Sequence, residues 1–418
     1  MPAKVKRIRL EEGISRLCSL LERKPSEKVP ISAAIGMSLA EDVTAGWSLP
    51  RYDISHMDGY AVISEDLQSA SDGGPVSLKI VGISRPDGLP SFMRSGECMR
   101  VLTGGRLPEG ADAVVPQEQV KAKEGRASFG SPVQPFSDVH RAGSDVAKGD
   151  LLLTRGRLLG AREVSFLVAL GVAEVVVCPK LRVGVLATGS ELIETFAERT
   201  EGKINEGNRM IIMETLGKLG FETESLGIAA DDPHQIAAAI RRGLKRCDAF
   251  VTTGGSSVGE ADFVPEALKL LGGVEVFHGL LMRPSRTAGA FLLGTKPVFV
   301  LSGLIQASVS ALLNLVYPSL EFMEGLGWRN LPTVTAFLGK EFTLKKSDPF
   351  KQVVWVRLRA VGGKLIAEPM IPASTSRHVI TRTNGFFLAE GDGTRKEGDA
   401  VDVRLPYGFR LEDSLGGR

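Results

Sequence analysis

Cysteine is sparse in this chain of 418 residues. Cys18, Cys98, Cys178 and Cys247 stand far apart, with no C-x-x-C pair. Local spacing builds neither a zinc knuckle nor a thioredoxin-type motif, and a reduced cytoplasm is the expected compartment. An excess of one charge is lacking too. The 51 Lys+Arg against 49 Asp+Glu leave +2, which argues against a nucleic-acid or polybasic membrane binder. No apolar run reaches the roughly 18 residues needed to cross a bilayer, and Glu163, Ser165 and Glu174 interrupt the best stretch. The N-terminal MPAKVKRIRL carries charge where a signal peptide needs an apolar core, so a soluble, unexported protein is expected. The P-loop pattern G-x-x-x-x-G-K-[ST] is absent. His56, His140, His234, His278 and His378 show no H-x-x-x-H spacing, so structural or surface roles are expected rather than zinc ligation.

What is abundant is glycine, 48 of 418 residues against an average near 7%. Glycine without low-complexity runs points to tight turns or to loops that approach a ligand closely. The length predicts two to four domains. Ile14, Leu17, Leu20 and Leu21 predict an N-terminal helical face. From about Met57 to Val146, short β-branched runs alternate with Gly/Pro/Asp turns, predicting a small all-β module. Residues from Ala161 to about Ala173 read as helix. Between Leu181 and about Leu326, apolar runs at 182–187, 223–228, 248–252 and 297–301 alternate with helical patterns at 208–219, 234–246, 264–271 and 307–315. That is the texture of βαβ units on a mostly parallel sheet, whose C-terminal strand ends form a ligand crevice. Past Trp328 the alternation returns to β, predicting a compact β domain.

Three of those strands stop at hydroxyl-glycine turns: Thr188-Gly189-Ser190-Glu191, Thr253-Gly254-Gly255-Ser256-Ser257-Val258-Gly259 and Ser302-Gly303. A strand that ends in glycine before a helix suits phosphate or another oxyanion. One such turn is more often only a turn; three on one sheet edge favour a site. Glu191, Glu260 and Asp262 lie beside these loops, where a carboxylate holds Mg²⁺ with ligand phosphates or compensates a helix dipole. Asp231, ahead of Asp232 and Pro233, is expected first as a helix cap and is kept among the candidate ligand contacts. Arg283 and Arg286 flank a proline turn and are candidates to clamp an oxyanion.

In order along the chain stand His56-Met-Asp-Gly-Tyr-Ala-Val62, Leu102-Thr-Gly-Gly-Arg-Leu-Pro-Glu-Gly-Ala-Asp-Ala-Val-Val115 and Gly184-Val-Leu-Ala-Thr-Gly-Ser-Glu-Leu192. Gly202-Lys-Ile204 with Asn208-Arg209, and Thr252-Thr-Gly-Gly-Ser-Ser-Val-Gly-Glu-Ala-Asp262, follow. Together they resemble the molybdopterin molybdenumtransferases, the MoeA and gephyrin E-domain family, over essentially the whole chain. The resemblance implies a multidomain α/β architecture. A helical linker or dimerisation part (1–45 with 147–180) brackets an inserted β domain (46–146). A three-layer α/β molybdopterin-binding domain (181–328) and a C-terminal β-barrel (329–418) follow. It implies a homodimer that inserts molybdate into adenylylated molybdopterin, releases AMP, uses Mg²⁺ or another divalent cation, and meets the molybdopterin adenylyltransferase as a partner. No nucleic acid or membrane enters.

By resemblance, Asp58, Thr103, Asp145, Glu191 and Asp262 are the catalytic residues, with Glu191 and Asp262 on the cation. Asp58 and Thr103 are contributed by the β domain, of the same subunit or of the partner. Thr188, Gly189, Ser190, Asp231, Gly254, Gly255, Ser256, Ser257, Gly259, Arg283, Arg286, Ser302 and Gly303 are the substrate contacts. Two loops depart from the family pattern. Lys-Pro-Gly-Lys-Pro becomes Arg283-Pro-Ser-Arg-Thr287, which keeps charge but alters donor geometry. Leu-Pro-Gly-Asn-Pro-Val-Ala-Ser becomes Leu301-Ser-Gly-Leu-Ile-Gln-Ala-Ser308, which loses two φ locks and one polar side chain and is expected to loosen the loop. Ser374 and Asn384-Gly385 match the pattern weakly, and Arg357 is a further candidate oxyanion contact. These departures leave two alternatives, a non-catalytic or tungstate-handling paralogue and, more remotely, a scaffold.

Overall fold

The structure is a computed structural model that describes residues 7–194, 201–255, 263–325, 331–344, 349–370, 378–391 and 393–406. Ser256, Ser257, Gly259, Asp262 and Ser374 lie outside the described residues. The amphipathic N-terminal segment forms helix α1 (Leu10–Cys18), which buries Leu10, Ile14 and Leu17. Leu20 does not share that face. The helix has ended by then, and Leu20 is 53% exposed.

The chain divides into two compact units. One comprises Lys28–Ile35 and Glu41–Val176; the other comprises Met1–Glu27, Gly36–Ala40 and Val177–Arg418. The first unit is built on a six-stranded sheet of β1 (Gly59–Val62), β2 (Val76–Ser84), β3 (Glu97–Val101), β4 (Ala113–Pro116), β5 (Val120–Lys123) and β6 (Arg126–Phe129), in the order β4-β1-β3-β2-β6-β5. Strand periodicity sends alternate residues to opposite faces, so both faces are buried. Tyr60, Val62, Cys98, Val115 and Phe129 pack in one cluster. Ala61, Met99, Val101 and Val114 pack in another. The helix expected over 161–173 is α2 (Ala161–Ala169); it stops early because Gly171 turns left-handed (φ +69°), with its N–H and that of Val172 closing back on the last turn.

The second unit contains the alternating α/β pattern: β7 (Arg182–Thr188), α3 (Asn208–Lys218), β8 (Glu222–Ala229), α4 (Pro233–Gly243), β9 (Ala249–Thr253), α5 (Phe263–Leu270), β10 (Val274–His278), β11 (Gly289–Leu293) and β12 (Lys296–Leu301). The sheet order is β8-β7-β9-β12-β11-β10. β8, β7, β9 and β12 run parallel, and β11 and β10 extend the sheet antiparallel. Odd-numbered Val183, Val185, Val251 and Phe299 face a core shared with α1 and α3. Leu186, Phe250, Val298 and Val300 face α4 and α5. Near-continuous apolar strands are what a doubly covered parallel sheet requires.

The helix expected over 307–315 runs further. α6 (Ile305–Ala311) passes through a π turn (Leu312–Val316) into α7 (Tyr317–Met323). Pro318, which suggests a stop, is tolerated at the start of α7.

The C-terminal segment supplies β13 (Thr333–Leu338), β14 (Lys351–Val361), β15 (Lys364–Met370), β16 (Gly385–Ala389) and β17 (Ala400–Arg404). Pairing runs β14-β15-β13-β17-β16 and returns to β14, so the sheet closes into a five-stranded barrel around Leu338, Val354, Val356, Phe387 and Val403. Among the described residues, no helix is long and apolar enough to cross a membrane.

Candidate functional site

Three parallel neighbours end on the same edge. Ala187 pairs with Thr253 and Thr253 with Leu301, while Thr188 pairs with Ala229. The hydroxyl-glycine turns therefore gather where an open α/β sheet binds its ligands. Gly254 has φ +99° and Gly255 φ +59°, and a Cβ on Gly254 would lie 2.1 Å from the Thr188 carbonyl oxygen. Only glycine lets the Thr253 turn lie this close to the neighbouring strand end. The Gly254 N–H donates to the Leu301 carbonyl at 3.1 Å, which fixes the turn to the next strand.

Behind these turns opens a cavity of about 540 Å³. Of the expected contacts, Thr188, Gly189, Glu191, Asp231, Gly254, Gly255, Ser302 and Gly303 line it. Ser190 sits one bond back. Its N–H donates to Asp231 Oδ2 and its Oγ accepts from the Asp231 N–H, both at 3.0 Å, while Lys203 Nζ donates to its carbonyl at 2.7 Å. Asp231 is thus turned toward the cavity, and the cap of α4 is its neighbour: Asp232 Oδ1 accepts from the Gln235 N–H at 2.8 Å. A cap must sit directly before the first helical residue, here Pro233, so Asp232 takes the role expected of Asp231.

Arg283 and Arg286 do not line the cavity, whereas Thr287 does. The Arg283 guanidinium lies over the Phe350 ring, 4.4 Å from its centroid, and the Arg286 carbonyl accepts from the Leu280 N–H. Arg357, with Arg382, Thr381, Thr383 and Asn384, lines a second cavity of about 290 Å³ on the barrel.

Asn208 belongs to the Asn208-Arg209 motif, and periodicity does not single it out. At the start of α3, its Nδ2 donates to the Gly303 carbonyl at 2.7 Å and to Thr253 Oγ1 at 3.2 Å. The loop that lost its prolines is pinned by hydroxyls. Thr253 Oγ1 and Ser308 Oγ both donate to the Ser302 carbonyl, and Ser302 Oγ accepts from the Leu304 N–H at 3.2 Å. Glu206 also lines the cavity. Its Oε1 accepts from the Arg209 N–H at 2.8 Å.

Carboxylates outnumber cations in the lining, although Glu206 is paired at 3.5 Å with Arg209, which stands outside it. Glu191, Glu206 and Asp231 line the cavity, and no Lys or Arg appears among its described lining residues. An anionic ligand needs a countercharge in such a site. The donor set is oxygen only, which suits a hard divalent cation. Among the described residues no three His, Cys, Asp or Glu side chains converge, so ligand oxygens and water would complete the coordination. Thr188 lines the cavity and is 3% exposed, and its hydroxyl is buried against the Gly254-Gly255 turn with no hydrogen-bond partner among the described residues. Buried polar groups are rarely left so, and beside a cavity the partner is a water, an ion or a ligand.

In the other unit, Asp58 Oδ1 accepts from the Thr103 N–H at 2.8 Å and from Thr103 Oγ1 at 2.9 Å. Those two bonds hold the Asp58 carboxyl below its usual range. Asp145 is exposed, and its N–H donates to the Leu49 carbonyl at 3.1 Å.

Fold and cavity define a multidomain α/β protein with a cavity on the C-terminal edge of a parallel sheet and a closed barrel in the same compact unit. Residues 8–171 match the model of the MoeA N-terminal region (domains I and II), and residues 184–321 match that of a probable molybdopterin-binding domain. The chain is 31% identical to the molybdopterin molybdenumtransferase of Bacillus subtilis over 95% of its own length and 94% of that protein's. It is 29% identical to the Staphylococcus aureus enzyme of the same name, over 98% of each. The crystal structure of a molybdopterin biosynthesis MoeA protein from Pyrococcus horikoshii superposes with a TM-score of 0.85 at 29% identity, covering 97% of this chain and 100% of that one. The chain belongs to the MoeA family of molybdopterin molybdenumtransferases, transferases of molybdenum cofactor biosynthesis.

Proposed function

We propose that this transferase inserts molybdate into adenylylated molybdopterin. Water attacks the phosphoanhydride between AMP and the molybdopterin phosphate and AMP leaves; the two dithiolene sulfurs bind molybdenum in place of one molybdate oxygen, which departs as water with the two thiol protons. The observation that carries this reading is the buried, unpartnered Thr188 hydroxyl in the glycine-floored cavity, inside the segment matched as molybdopterin-binding. The hydroxyl is a donor awaiting an oxyanion. The Gly254-Gly255 turn permits close approach of the phosphates, and Asn208 ties the Thr253 and Gly303 turns together.

Glu191 would hold a divalent cation such as Mg²⁺, with Asp262 as its partner by resemblance. Such a cation neutralises phosphate charge that the acidic lining cannot. Asp58, Thr103 and Asp145 are proposed as cleft residues, Arg283 and Arg286 as contacts for molybdate charge outside the strand-end cavity, which they do not line, and Ser190, Asp231, Ser302 and Gly303 as substrate supports. The division into 1–45 with 147–180, 46–146, 181–328 and 329–418, assembly as a homodimer, a cytoplasmic location and transfer of substrate from the molybdopterin adenylyltransferase complete the proposal. The non-catalytic and tungstate-handling alternatives are not favoured, because relatives matched over nearly the whole chain bear the transferase name.

The test is molybdate-dependent AMP release by the purified protein given adenylylated molybdopterin and Mg²⁺. Release only with molybdate supports the reading, and binding without any release refutes it.

A further inference from the structure

Two large aliphatic side chains are left in solvent at the same cavity. Ile204 is 44% exposed and Leu304 42%, and both line it beside hydroxyls, carboxylates and an amide. Single exposed aliphatics are ordinary; two at one polar cavity are not. Their backbones are held in place. Ile204 pairs with Leu192, and its N–H donates to the Glu191 carbonyl at 2.8 Å. The Leu304 N–H donates to Ser302 Oγ at 3.2 Å, and the preceding carbonyl, of Gly303, accepts from Asn208 at 2.7 Å. Asn208 therefore ties the segment that follows Ile204 to the loop that carries Leu304.

Leu304 also stands where a leucine serves the helix poorly. It is the N-cap of α6 (φ −81°, ψ 118°) and provides no side-chain cap hydrogen bond. That position strongly prefers Asn, Asp, Ser or Thr, and the family pattern has Asn here. A residue that breaks a local rule at a ligand cavity points to a gain made with the ligand.

We propose that Leu304 and Ile204 form an apolar clamp on the fused ring of the pterin substrate, with Leu304 a specificity-determining residue of this chain. The inference rests on the cavity taking adenylylated molybdopterin. The phosphates and the cation account for the polar lining; of the two ring systems of that ligand, the pterin and the adenine of its AMP half, the clamp is assigned to the pterin, inside the segment matched as molybdopterin-binding. Covering about half of a leucine side chain corresponds to roughly fivefold to tenfold in affinity.

The test measures dissociation constants for adenylylated molybdopterin, by its pterin fluorescence, together with melting temperatures, for wild type, Leu304→Asn, Leu304→Met and Ile204→Thr. Leu304→Asn is expected to raise Tm by about 2–4 °C, because it restores the cap. It is also expected to weaken binding by roughly fivefold to tenfold. Leu304→Met should bind within about twofold of wild type with no gain in Tm, since it keeps the apolar contact. Ile204→Thr, which keeps the β-branch, should weaken binding about as much as Leu304→Asn. Leu304→Asn binding as tightly as wild type, or Leu304→Met binding as weakly as Leu304→Asn, overturns the clamp alone. A wild type that does not bind adenylylated molybdopterin overturns the functional reading, and the clamp with it.

Discussion

Asn208 donates to the Gly303 carbonyl oxygen at 2.7 Å across 95 residues of sequence, and from the same nitrogen to Thr253 Oγ1. Replacing it with Ala removes both bonds and is expected to destabilise the protein by about 2 kcal/mol. Asn208→Asp should cost more near neutral pH than at pH 4, since it sets a carboxylate oxygen against the Gly303 carbonyl. Urea unfolding of both variants at the two pH values checks this, and equal stability of wild type and Asn208→Ala would contradict it.

That contact shows what the sequence could and could not reveal. The strand ends at Thr188, Thr253 and Leu301 were legible because apolar β-branched runs stop abruptly at glycine, and helices follow with a 3.6-residue period. Eight of the proposed contacts line one cavity for that reason. What depends on partners distant in sequence was not legible. The Arg283 side chain lies over Phe350 rather than at the cavity, and nothing local in Arg283-Pro-Ser-Arg-Thr287 announces an aromatic ring 67 residues later. The antiparallel β10–β11 pair was not legible either, because the 10 residues between those strands suggest no hairpin turn. The looseness expected of the proline-poor loop is offset by Ser302, Ser308 and Thr253, whose hydrogen bonds require the fold to bring them together.

Thr188→Val removes a buried hydroxyl that has no partner in the free protein. Stability should be unchanged or higher by up to ~1 kcal/mol. Affinity for adenylylated molybdopterin should fall about tenfold if the hydroxyl donates to the ligand. Calorimetric unfolding and a binding titration read the two quantities separately. A Val variant that binds as well as wild type removes Thr188 from the site.

Ser285 stands at φ +108°, where the family pattern has glycine, and its Oγ donates to the Ala307 carbonyl at 2.6 Å. An L-residue is strained in that region, by about 1–2 kcal/mol. Ser285→Ala keeps the strain and loses the bond, so it should destabilise by about 1 kcal/mol. Ser285→Gly relieves the strain as it loses the bond and should be nearly neutral. Denaturant midpoints that place Ala at or above Gly would contradict the account.

Thr103→Val removes one of the two donors to Asp58 and leaves the backbone N–H in place. The Asp58 carboxyl should then titrate closer to its ordinary range, by carbon-13 NMR. A depressed folded-state pKa stabilises the protein above the unfolded value, and that contribution is lost as pH falls through the folded value. The variant should therefore lose less stability than wild type on acidification over that window. An unchanged Asp58 titration would show that the hydroxyl does not contribute.

The central claim is that the strand-end cavity carries out molybdate-dependent release of AMP. The most direct measurement is single-turnover AMP release from adenylylated molybdopterin with Mg²⁺, with and without molybdate, for wild type and Glu191→Gln. The account predicts release by wild type only when molybdate is present, and release slowed by about 100-fold or more in Glu191→Gln, as for loss of an electrostatic transition-state contact. No release by wild type, or release at the wild-type rate by Glu191→Gln, would contradict it.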